Sequence, residues 1–355
     1  AVFWMWVSAF FGMSTIYAEA TLAQQYKVKK DGEVTGGPVY YIRAAFKGTF
    51  GEALAAIFAI LIVLALGFTG NMVQSNSIGA AFSEVFSARN IEIPSIVFGL
   101  ILAAVIGFIF LGGVNRLASV VEKIVPIMAG IYIVGSLVLI LMNITALPEA
   151  IKMIFVGAFN PEAVVGAGAG IAVREAIRFG VARGLFSNEA GMGSTPHAHA
   201  RAKVENPHKQ GLAAMISVFI DTFIILNLTV FSILTTGVLD SGKEGTALTQ
   251  AAFTKGFGNF GDIFVAVCLL FFAFSTILGW HFFGEVNVKY LFGEKAAKFY
   301  SILVIGFVIV GSTLKVQLVW SLSDFFNGLM VIPNAIALWA LSGIVVKICK
   351  QYGKK

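Results

Sequence analysis

Long apolar stretches alternate with short polar ones along most of the 355-residue chain. The apolar stretches lack the two-residue alternation of a membrane β-barrel, so they predict helices. A stretch of roughly 20 apolar residues is long enough to cross about 30 Å of hydrocarbon, and this rule gives about nine spans. They cover residues 2–23, 54–86, 96–113, 124–144, 163–200, 211–238, 263–283, 300–318 and 326–346. The span 54–86 is expected to be one long or tilted helix.

The composition supports a membrane location. Hydrophobic residues make up 58% of the chain and charged residues 12%, against about 25% charged residues in an average soluble domain. So few charges cannot cover the surface of a soluble fold of this length. We therefore predict an all-α polytopic membrane protein in which residues 1–355 form a single transmembrane domain.

Basic residues predict the orientation of the spans, because they concentrate in cytoplasmic loops. If residues 27–30, which include three lysines, are cytoplasmic, alternation of the spans places the lysine-rich C-terminus there too. The opposite loops carry acidic residues and few basic ones. We predict a multi-pass protein of the cell inner (plasma) membrane with a cytoplasmic C-terminus. No basic aromatic patch indicates nucleic acid.

The predicted span 163–200 is unusually polar and rich in glycine. The stretch AVVGAGAGIAV is followed by FSNEAGMGSTPHAHA, yet non-helical backbone at membrane depth is tolerated only inside protein or beside a water-filled cavity. A helix interrupted near Ser187 and Asn188 exposes N–H groups for a carboxylate and carbonyls for a cation. Gly191 and Gly193 allow a ligand close to the backbone. We predict a binding site here.

Structural alternatives apply to several of these residues. Small residues also permit close helix packing, although Asn188 and Glu189 in one turn are costly without partners. Glu189 is interpreted as a brace for the unwound backbone rather than a substrate contact. The charged residues of the preceding segment are interpreted as an exposed or interfacial helix: Arg174, Glu175, Arg178 and Arg183.

Three histidines near the end of the span raise the possibility of a metal site. His197 and His199 are two residues apart, so on a helix they point to different faces, and His208 follows later. The two cysteines lie elsewhere in the chain and indicate neither a disulfide framework nor a metal cluster. We interpret the histidines as residues of the cytoplasmic edge and predict no metal ion other than Na⁺.

Polar residues also occur within other predicted spans. Asp221 lies squarely in SVFIDTFII, and an intramembrane carboxylate is a functional hypothesis by default. It can bind a cation, relay a proton, or pair with a basic residue such as Arg43 or Lys123. Asp324 and Asn327 are interpreted as residues of a helix start, where aspartate caps the backbone.

Two further polar pairs are candidate ligands. Gln74 follows Asn71 by three residues, so both lie on one helix face; amides of this kind also bridge membrane helices. Ser275 and Thr276 interrupt LLFFAFSTILGW. Their hydroxyl oxygens suit a monovalent cation, and the alternative is that both hydroxyls bond to carbonyls one turn earlier.

These residues fall within motifs of a known family. FSNEAGMGSTPHAHA closely resembles the signature segment of the alanine or glycine:cation symporter family, the bacterial sodium:alanine symporters. AVFWMWVSAFFGM, YAEATLAQQY, DGEVTGGPVYYI, GFTGNMVQSNSI, AFSTILGW and DFFNGLMVIPNAIAL resemble its other segments in the expected order. The resemblance covers essentially the whole chain.

The resemblance implies a five-plus-five inverted-repeat amino-acid transporter fold whose first and sixth helices are broken. Span 163–200 matches the sixth, and the first is expected upstream of Ala1, so the chain is expected to be N-terminally incomplete. By resemblance, Ser275 and Thr276 are cation-binding candidates, and the intramembrane carboxylate of Asp221 is a third. The candidate substrate-binding residues are Gln74, Phe186, Ser187, Asn188 and Gly191.

We therefore expect a sodium-coupled symporter of alanine or glycine that works by alternating access. A proton-coupled symporter with Asp221 as carrier and a transport-inactive fragment are the alternatives. A channel is disfavoured because polar residues cluster at one depth. No nucleophile, metal triad or carboxylate pair indicates an enzyme. Na⁺ is the expected coupling ion, and we expect no cofactor and no obligate protein partner.

Overall fold

Helices make up most of the computed structural model, which describes residues 1–30, 32–110, 113–159 and 169–353. In chain order they are α1 (Val2–Gln25), α2 (Pro38–Ala45), α3 (Thr49–Ile62), α4 (Asn71–Ser87), α5 (Ser95–Phe110), α6 (Gly113–Met142), α7 (Leu147–Phe159), α8 (Ala169–Asn188), α9 (Pro196–Arg201), α10 (Pro207–Phe219), α11 (Asn227–Thr236), α12 (Gly245–Phe257), α13 (Gly261–Phe292), α14 (Glu294–Thr313) and α15 (Val316–Tyr352). Short 3-10 turns occupy Ile144–Ala146, Leu239–Ser241 and Gly258–Phe260.

Six helical stretches among the described residues are long and apolar enough to cross a membrane. They are Thr49–Ser87, Ser119–Met142, Pro207–Thr236, Gly245–Phe292, Glu294–Thr313 and Val316–Tyr352. The other predicted spans correspond to α1, to the 16-residue α5 and to residues 163–200, of which 163–168 lie outside the described residues. The prediction of an all-α polytopic membrane protein is confirmed.

Two π-helical segments lie within the long spans. Val63–Gly70 joins α3 to α4, and Ile220–Leu226 joins α10 to α11. The first makes Thr49–Ser87 continuous, which confirms the long helix predicted over 54–86. Such wide turns are rare and occur frequently at functional sites. The second segment contains Asp221, one of the predicted cation-binding residues.

A small β-hairpin is the one sheet among the described residues, and the sequence did not predict it. Strand β1 (Val28–Lys30) pairs antiparallel with β2 (Glu33–Thr35). Two three-residue strands are too short for a readable alternation of polar and apolar residues. Arg201 at the end of α9 contacts Glu33 at 3.1 Å, so the hairpin and the end of α9 lie on the same side of the molecule.

Helix α13 lies in the middle of one group of helices, where it packs against α3, α4, α6, α12 and α14. Helix α1 packs against α8, α9 and α10. Many large apolar side chains point outward, and Trp339 is 88% exposed. An apolar exterior of this kind is what a surrounding bilayer requires.

The interpretation of Asp324 and Asn327 as residues of a helix start is wrong. Helix α15 begins at Val316, about two turns earlier. Asp324 instead accepts two hydrogen bonds from Arg183, at 2.7 and 2.9 Å, and Asn327 donates to Ser323 Oγ at 3.2 Å. The Asp324 carboxylate therefore contacts a guanidinium of another helix rather than backbone N–H groups.

Arg183, interpreted with its neighbours as part of an exposed or interfacial helix, has a partner on α15. The Arg183 side chain is only 28% exposed. Arg178 and Glu175, earlier on α8, do form an exposed pair at 3.2 Å. The sequence pattern did not separate these residues because the partner of Arg183 lies 141 positions away.

Close packing of α14 on α4 leads to a stability prediction. A Cβ atom added at Gly311 would lie 2.6 Å from the Cα atom of Met72, whereas at Gly306 nothing lies within 4 Å. Gly311→Ala is expected to lower the free energy of unfolding by about 2 kcal/mol, because α14 must move away from α4. Gly306→Ala on the same helix is the matched control. Thermal unfolding in detergent measures both, and equal midpoints would contradict the prediction.

Candidate functional site

The predicted interruption of the helix is present. Helix α8 ends at Asn188 and α9 begins at Pro196, with no helix between them. The backbone turns through positive φ at Glu189 (57°), Gly191 (96°) and Gly193 (78°). Glycine adopts such angles without cost, but they are uncommon for a residue with a side chain such as Glu189. Residues 189–195 are called the unwound segment below.

Glu19 of α1 and Asn334 of α15 hold the unwound segment. The Glu19 carboxylate accepts hydrogen bonds from the backbone N–H groups of Gly191 at 2.9 Å and Gly193 at 2.8 Å. Asn334 donates to Glu19 at 2.6 Å and to the Gly191 carbonyl at 2.9 Å. The backbone N–H and the carbonyl of Gly191 are therefore both hydrogen-bonded within the protein in this conformation and are not free for a ligand.

Glu189 contacts two residues that hold it in place. Its carboxylate accepts a hydrogen bond from Trp280 Nε1 at 2.7 Å and another from the Ser194 hydroxyl. The unwound segment is thereby bonded to itself and to α13. These contacts agree with the interpretation of Glu189 as a brace for the backbone.

Ser187 and Asn188 contact the second π-helical segment. The Ser187 hydroxyl lies 3.0 and 2.8 Å from the two carboxylate oxygens of Asp221. Asn188 donates to Thr222 Oγ1 at 3.2 Å, and Thr222 donates to Asp221 at 3.1 Å. Ser187 is exposed and Asp221 is half-buried. The structure thus brings together three of the predicted site residues, Ser187, Asn188 and the half-buried Asp221.

The proposed basic partners of Asp221 are wrong. The acidic group that Arg43 contacts is Glu52, at 3.6 Å, and Lys123 takes part in none of the ion pairs within the described ranges. The hydroxyl groups of Ser187, at the break, and of Thr222, in the same π-helical segment, donate hydrogen bonds to Asp221 instead. No ion pair within the described residues involves Asp221, so its carboxylate remains available to a cation.

Aromatic rings surround Phe186, the residue before Ser187. Its ring centroid lies 5.3 Å from that of Trp280 and 4.8 Å from that of Trp320. The Arg183 guanidinium lies 4.0 Å from the Trp320 ring centroid, a cation–π distance. The last turns of α8 therefore carry an aromatic wall that joins α8 to α13 and α15.

Gln74 has the properties of an available ligand. It is half-buried and makes no hydrogen bond within the described ranges. Asn71 donates to the Gly67 carbonyl at 3.0 Å, and its buried Oδ1 has no partner among the described residues. Neither amide bridges two helices, so the alternative of interhelical bonding has no support in this conformation.

Ser275 and Thr276 both bond to a carbonyl in the preceding turn. Each hydroxyl lies 2.9 Å from the carbonyl oxygen of Phe272. The alternative contact expected from the sequence is therefore present. Donation of the proton leaves the lone pairs of each hydroxyl oxygen free to accept or to coordinate, so this contact is compatible with cation binding.

The three histidines have separate partners. His197 is buried, where its Nδ1 bonds to the Ser194 carbonyl and its Nε2 lies 2.8 Å from Asn287 Nδ2. His199 contacts Gln210 at 2.7 Å, and His208 contacts the Tyr17 hydroxyl at 2.6 Å. The described part of the chain shows no group of three or more His, Cys, Asp or Glu placed to hold a metal ion.

Comparison with known proteins agrees with the site. The model of the sodium:alanine symporter family matches residues 1–355. The chain belongs to this family. The amino-acid carrier protein AlsT of Bacillus subtilis is 42% identical over 356 residues, covering 100% of this chain and 74% of AlsT. The sodium/alanine symporter AgcS of Methanococcus maripaludis is 39% identical over 360 residues, covering 100% of this chain and 77% of AgcS.

Membership of the sodium:alanine symporter family confirms the resemblance found in the sequence motifs. It makes the protein a transporter and not an enzyme. It also agrees with the six apolar helices in identifying a multi-pass membrane protein.

The residues that hold the broken helix were not predicted from the sequence. Glu19 was not among the predicted site residues, although it lies within the quoted motif YAEATLAQQY. Trp280 and Asn334 lay within the quoted motifs AFSTILGW and DFFNGLMVIPNAIAL. A buried Glu and Asn inside apolar spans were the available signals.

Proposed function

We propose that the protein is a sodium-driven symporter of alanine or glycine that works by alternating access. The observation that carries this proposal is the half-buried Asp221 carboxylate, hydrogen-bonded to Ser187 at the end of α8. Family membership and the similarity to AgcS, a sodium/alanine symporter, support the same transport class.

A zwitterion has candidate partners at the break and on α4. The hydroxyl and amide groups of Ser187, Asn188 and Gln74 can bond to its carboxylate or ammonium. Phe186 limits the space for a side chain, which favours alanine and glycine over larger amino acids. The backbone N–H and carbonyl of Gly191 are already hydrogen-bonded within the protein. Gly191 is therefore proposed to act through its lack of a side chain, which lets the substrate lie close to the backbone.

The coupling cation is proposed to be Na⁺, with no further cofactor. Asp221 supplies a carboxylate, and Ser275 and Thr276 supply hydroxyl oxygens, the ligand types that hard cations prefer. Each positive charge that crosses a 100 mV membrane potential contributes about 2.3 kcal/mol. If Na⁺ and substrate bind the same conformation, each raises the affinity for the other.

The remaining parts of the proposal concern architecture. We propose the five-plus-five inverted-repeat fold, with α8 and α9 as the two halves of its sixth helix. The C-terminus is proposed to be cytoplasmic because the basic loops then lie inside. No obligate protein partner is proposed.

Transport in liposomes tests this function. The protein is reconstituted, and uptake of labelled alanine is followed with an inward Na⁺ gradient or with choline in its place. We expect saturable accumulation against the alanine gradient only with Na⁺, and competition by glycine. Equal accumulation with choline would contradict sodium coupling, and flux that does not saturate would indicate a channel.

Proton coupling is the second candidate. It is favoured by one observation, the Asp221 carboxylate whose side-chain partners are uncharged hydroxyls. Uptake measured across pH at fixed Na⁺ separates the two ions. A proton-coupled transporter would accumulate alanine with a pH gradient alone, whereas the sodium-coupled one needs Na⁺ at every pH.

The hydroxyl pair on α13 leads to a further prediction. In the double variant Ser275→Ala with Thr276→Ala, the Na⁺ concentration for half-maximal uptake is expected to rise roughly tenfold, as expected for the loss of about 1.4 kcal/mol of binding energy. Ser342→Ala on α15, whose hydroxyl also bonds to a carbonyl in the preceding turn, is the control. Unchanged Na⁺ dependence in the double variant would rule out this cation assignment.

A further inference from the structure

Glu19 is a buried carboxylate that the proposed transport site does not use. Its residue exposure is 0%. No cationic side chain lies against it in the part of the chain that the structure describes, where its partners are two backbone N–H groups and the Asn334 amide. A carboxylate is costly at membrane depth unless it is hydrogen-bonded. Retaining one here calls for a role that an apolar residue cannot fill.

The geometry shows what Glu19 does to the backbone. One oxygen accepts from Gly191 N–H and the other from Gly193 N–H. Both glycines have positive φ, and successive N–H groups in such turns form an anion-binding concavity. Glu19 occupies this concavity from within the protein. The path of the unwound segment is thereby bonded to α1.

Asn334 and Tyr41 extend this contact to two other helices. The Tyr41 hydroxyl donates to Asn334 Oδ1 at 2.5 Å. With Oδ1 engaged, Asn334 Nδ2 faces both Glu19 and the Gly191 carbonyl. Asn334 and Tyr41 are both 0% exposed. The four residues Glu19, Gly191, Asn334 and Tyr41 are called the clasp.

We propose that Glu19 is a positioning residue for transport, which keeps the unwound segment in its binding-competent shape through the clasp. This inference rests on the proposed function. The unwound segment begins directly after Ser187 and Asn188, so its shape sets the direction in which they point. Without Glu19, substrate and Na⁺ must order the segment as they bind, and the apparent affinity for both falls in proportion to the competent fraction.

Kinetics of Glu19→Gln test this role. Glutamine keeps the shape but places an N–H₂ group against one of the two backbone N–H donors. We expect the KM for alanine and the half-saturating Na⁺ concentration each to rise about tenfold, with the maximal rate within about twofold of the unchanged protein. Glu175→Gln, an exposed acid on α8, is the control. A lower maximal rate with unchanged KM would overturn the proposal.

A second measurement does not depend on which solute is carried. Hydrogen exchange of residues 189–195 is expected to be at least about tenfold faster in Glu19→Gln than in the unchanged protein, because opening of the segment costs less free energy. Unchanged exchange would overturn the positioning role even if alanine transport is confirmed. Faster exchange in a protein that fails to carry alanine would retain the clasp and refute the proposed function instead.

A milder variant covers the case in which Glu19→Gln fails to fold. Tyr41→Phe removes one hydroxyl and leaves Asn334 Oδ1 unpaired. A smaller change in the same direction is expected, about threefold in KM and in exchange rate. If both residues act on one segment, the double variant Glu19→Gln/Tyr41→Phe should raise KM by less than the product of the two single-variant fold-changes. Full additivity would overturn the clasp.

Discussion

Asp221→Asn is expected to lower kcat/KM for sodium-driven alanine uptake by roughly 100-fold. Both carboxylate oxygens accept hydrogen bonds from Ser187, and one also accepts from Thr222. Asparagine has nearly the same shape but no charge and one acceptor oxygen fewer. Loss of an interaction with a charged group costs about 1.5–3 kcal/mol, and loss of the proposed cation ligand adds to this.

Initial uptake rates at varied Na⁺ and alanine concentrations measure this effect. Asp240→Asn is the matched control, because Asp240 lies exposed in the turn after α11. Uptake by Asp221→Asn within about twofold of the control would exclude Asp221 from the site. A variant that keeps its Na⁺ requirement but loses its pH dependence would instead identify Asp221 as a proton carrier.

Arg183→Ala is expected to lower uptake about tenfold. Arg183 makes two hydrogen bonds to Asp324, and this pair joins α8 to α15. The Arg183 and Asp324 side chains are 28% and 33% exposed, so solvent weakens this ion pair only in part. Removal of Arg183 leaves the Asp324 carboxylate without its partner. The guanidinium also lies over Trp320, which packs on Phe186. Removal of Arg183 therefore disturbs the aromatic wall as well.

A matched control lies on the same helix. Arg178 pairs with Glu175 in an exposed position, where ion pairs contribute little, so Arg178→Ala is expected to transport normally. Arg183→Lys should restore little, because lysine lacks the planar fork that bonds to both carboxylate oxygens. The exchange Arg183→Asp with Asp324→Arg should restore part of the activity. Equal uptake by Arg183→Ala and Arg178→Ala would show that the pair is dispensable.

The predicted break illustrates how far local sequence can reach. Glycines and a proline near Asn188 disfavour a continuous helix whatever surrounds them, so the interruption was readable from residues 183–200 alone. The mutual contact of Ser187 and Asp221 was not readable, since the two residues are 34 positions apart. Each was recognised because a polar side chain at membrane depth is costly without a partner.

The sequence left the hydrogen-bond and ion-pair partners of the polar residues open or indicated them wrongly. Arg43 and Lys123 were considered for Asp221 because the sequence offered them as bases, whereas hydroxyls satisfy it. Asp324 was interpreted as a helix cap because SDFFNG matches a capping pattern. The matching base, Arg183, approaches only once α8 and α15 are packed.

The sequence by itself determined that this protein is a helical membrane transporter of the sodium:alanine symporter family, with a helix that breaks near Ser187 and Asn188. Span length, hydropathy and backbone-breaking residues are properties of short segments, and they act before any helices meet. Only the tertiary structure decided that Glu19, Asn334 and Trp280 hold the break. Those contacts join helices far apart in the chain, and the packing of whole helices sets them.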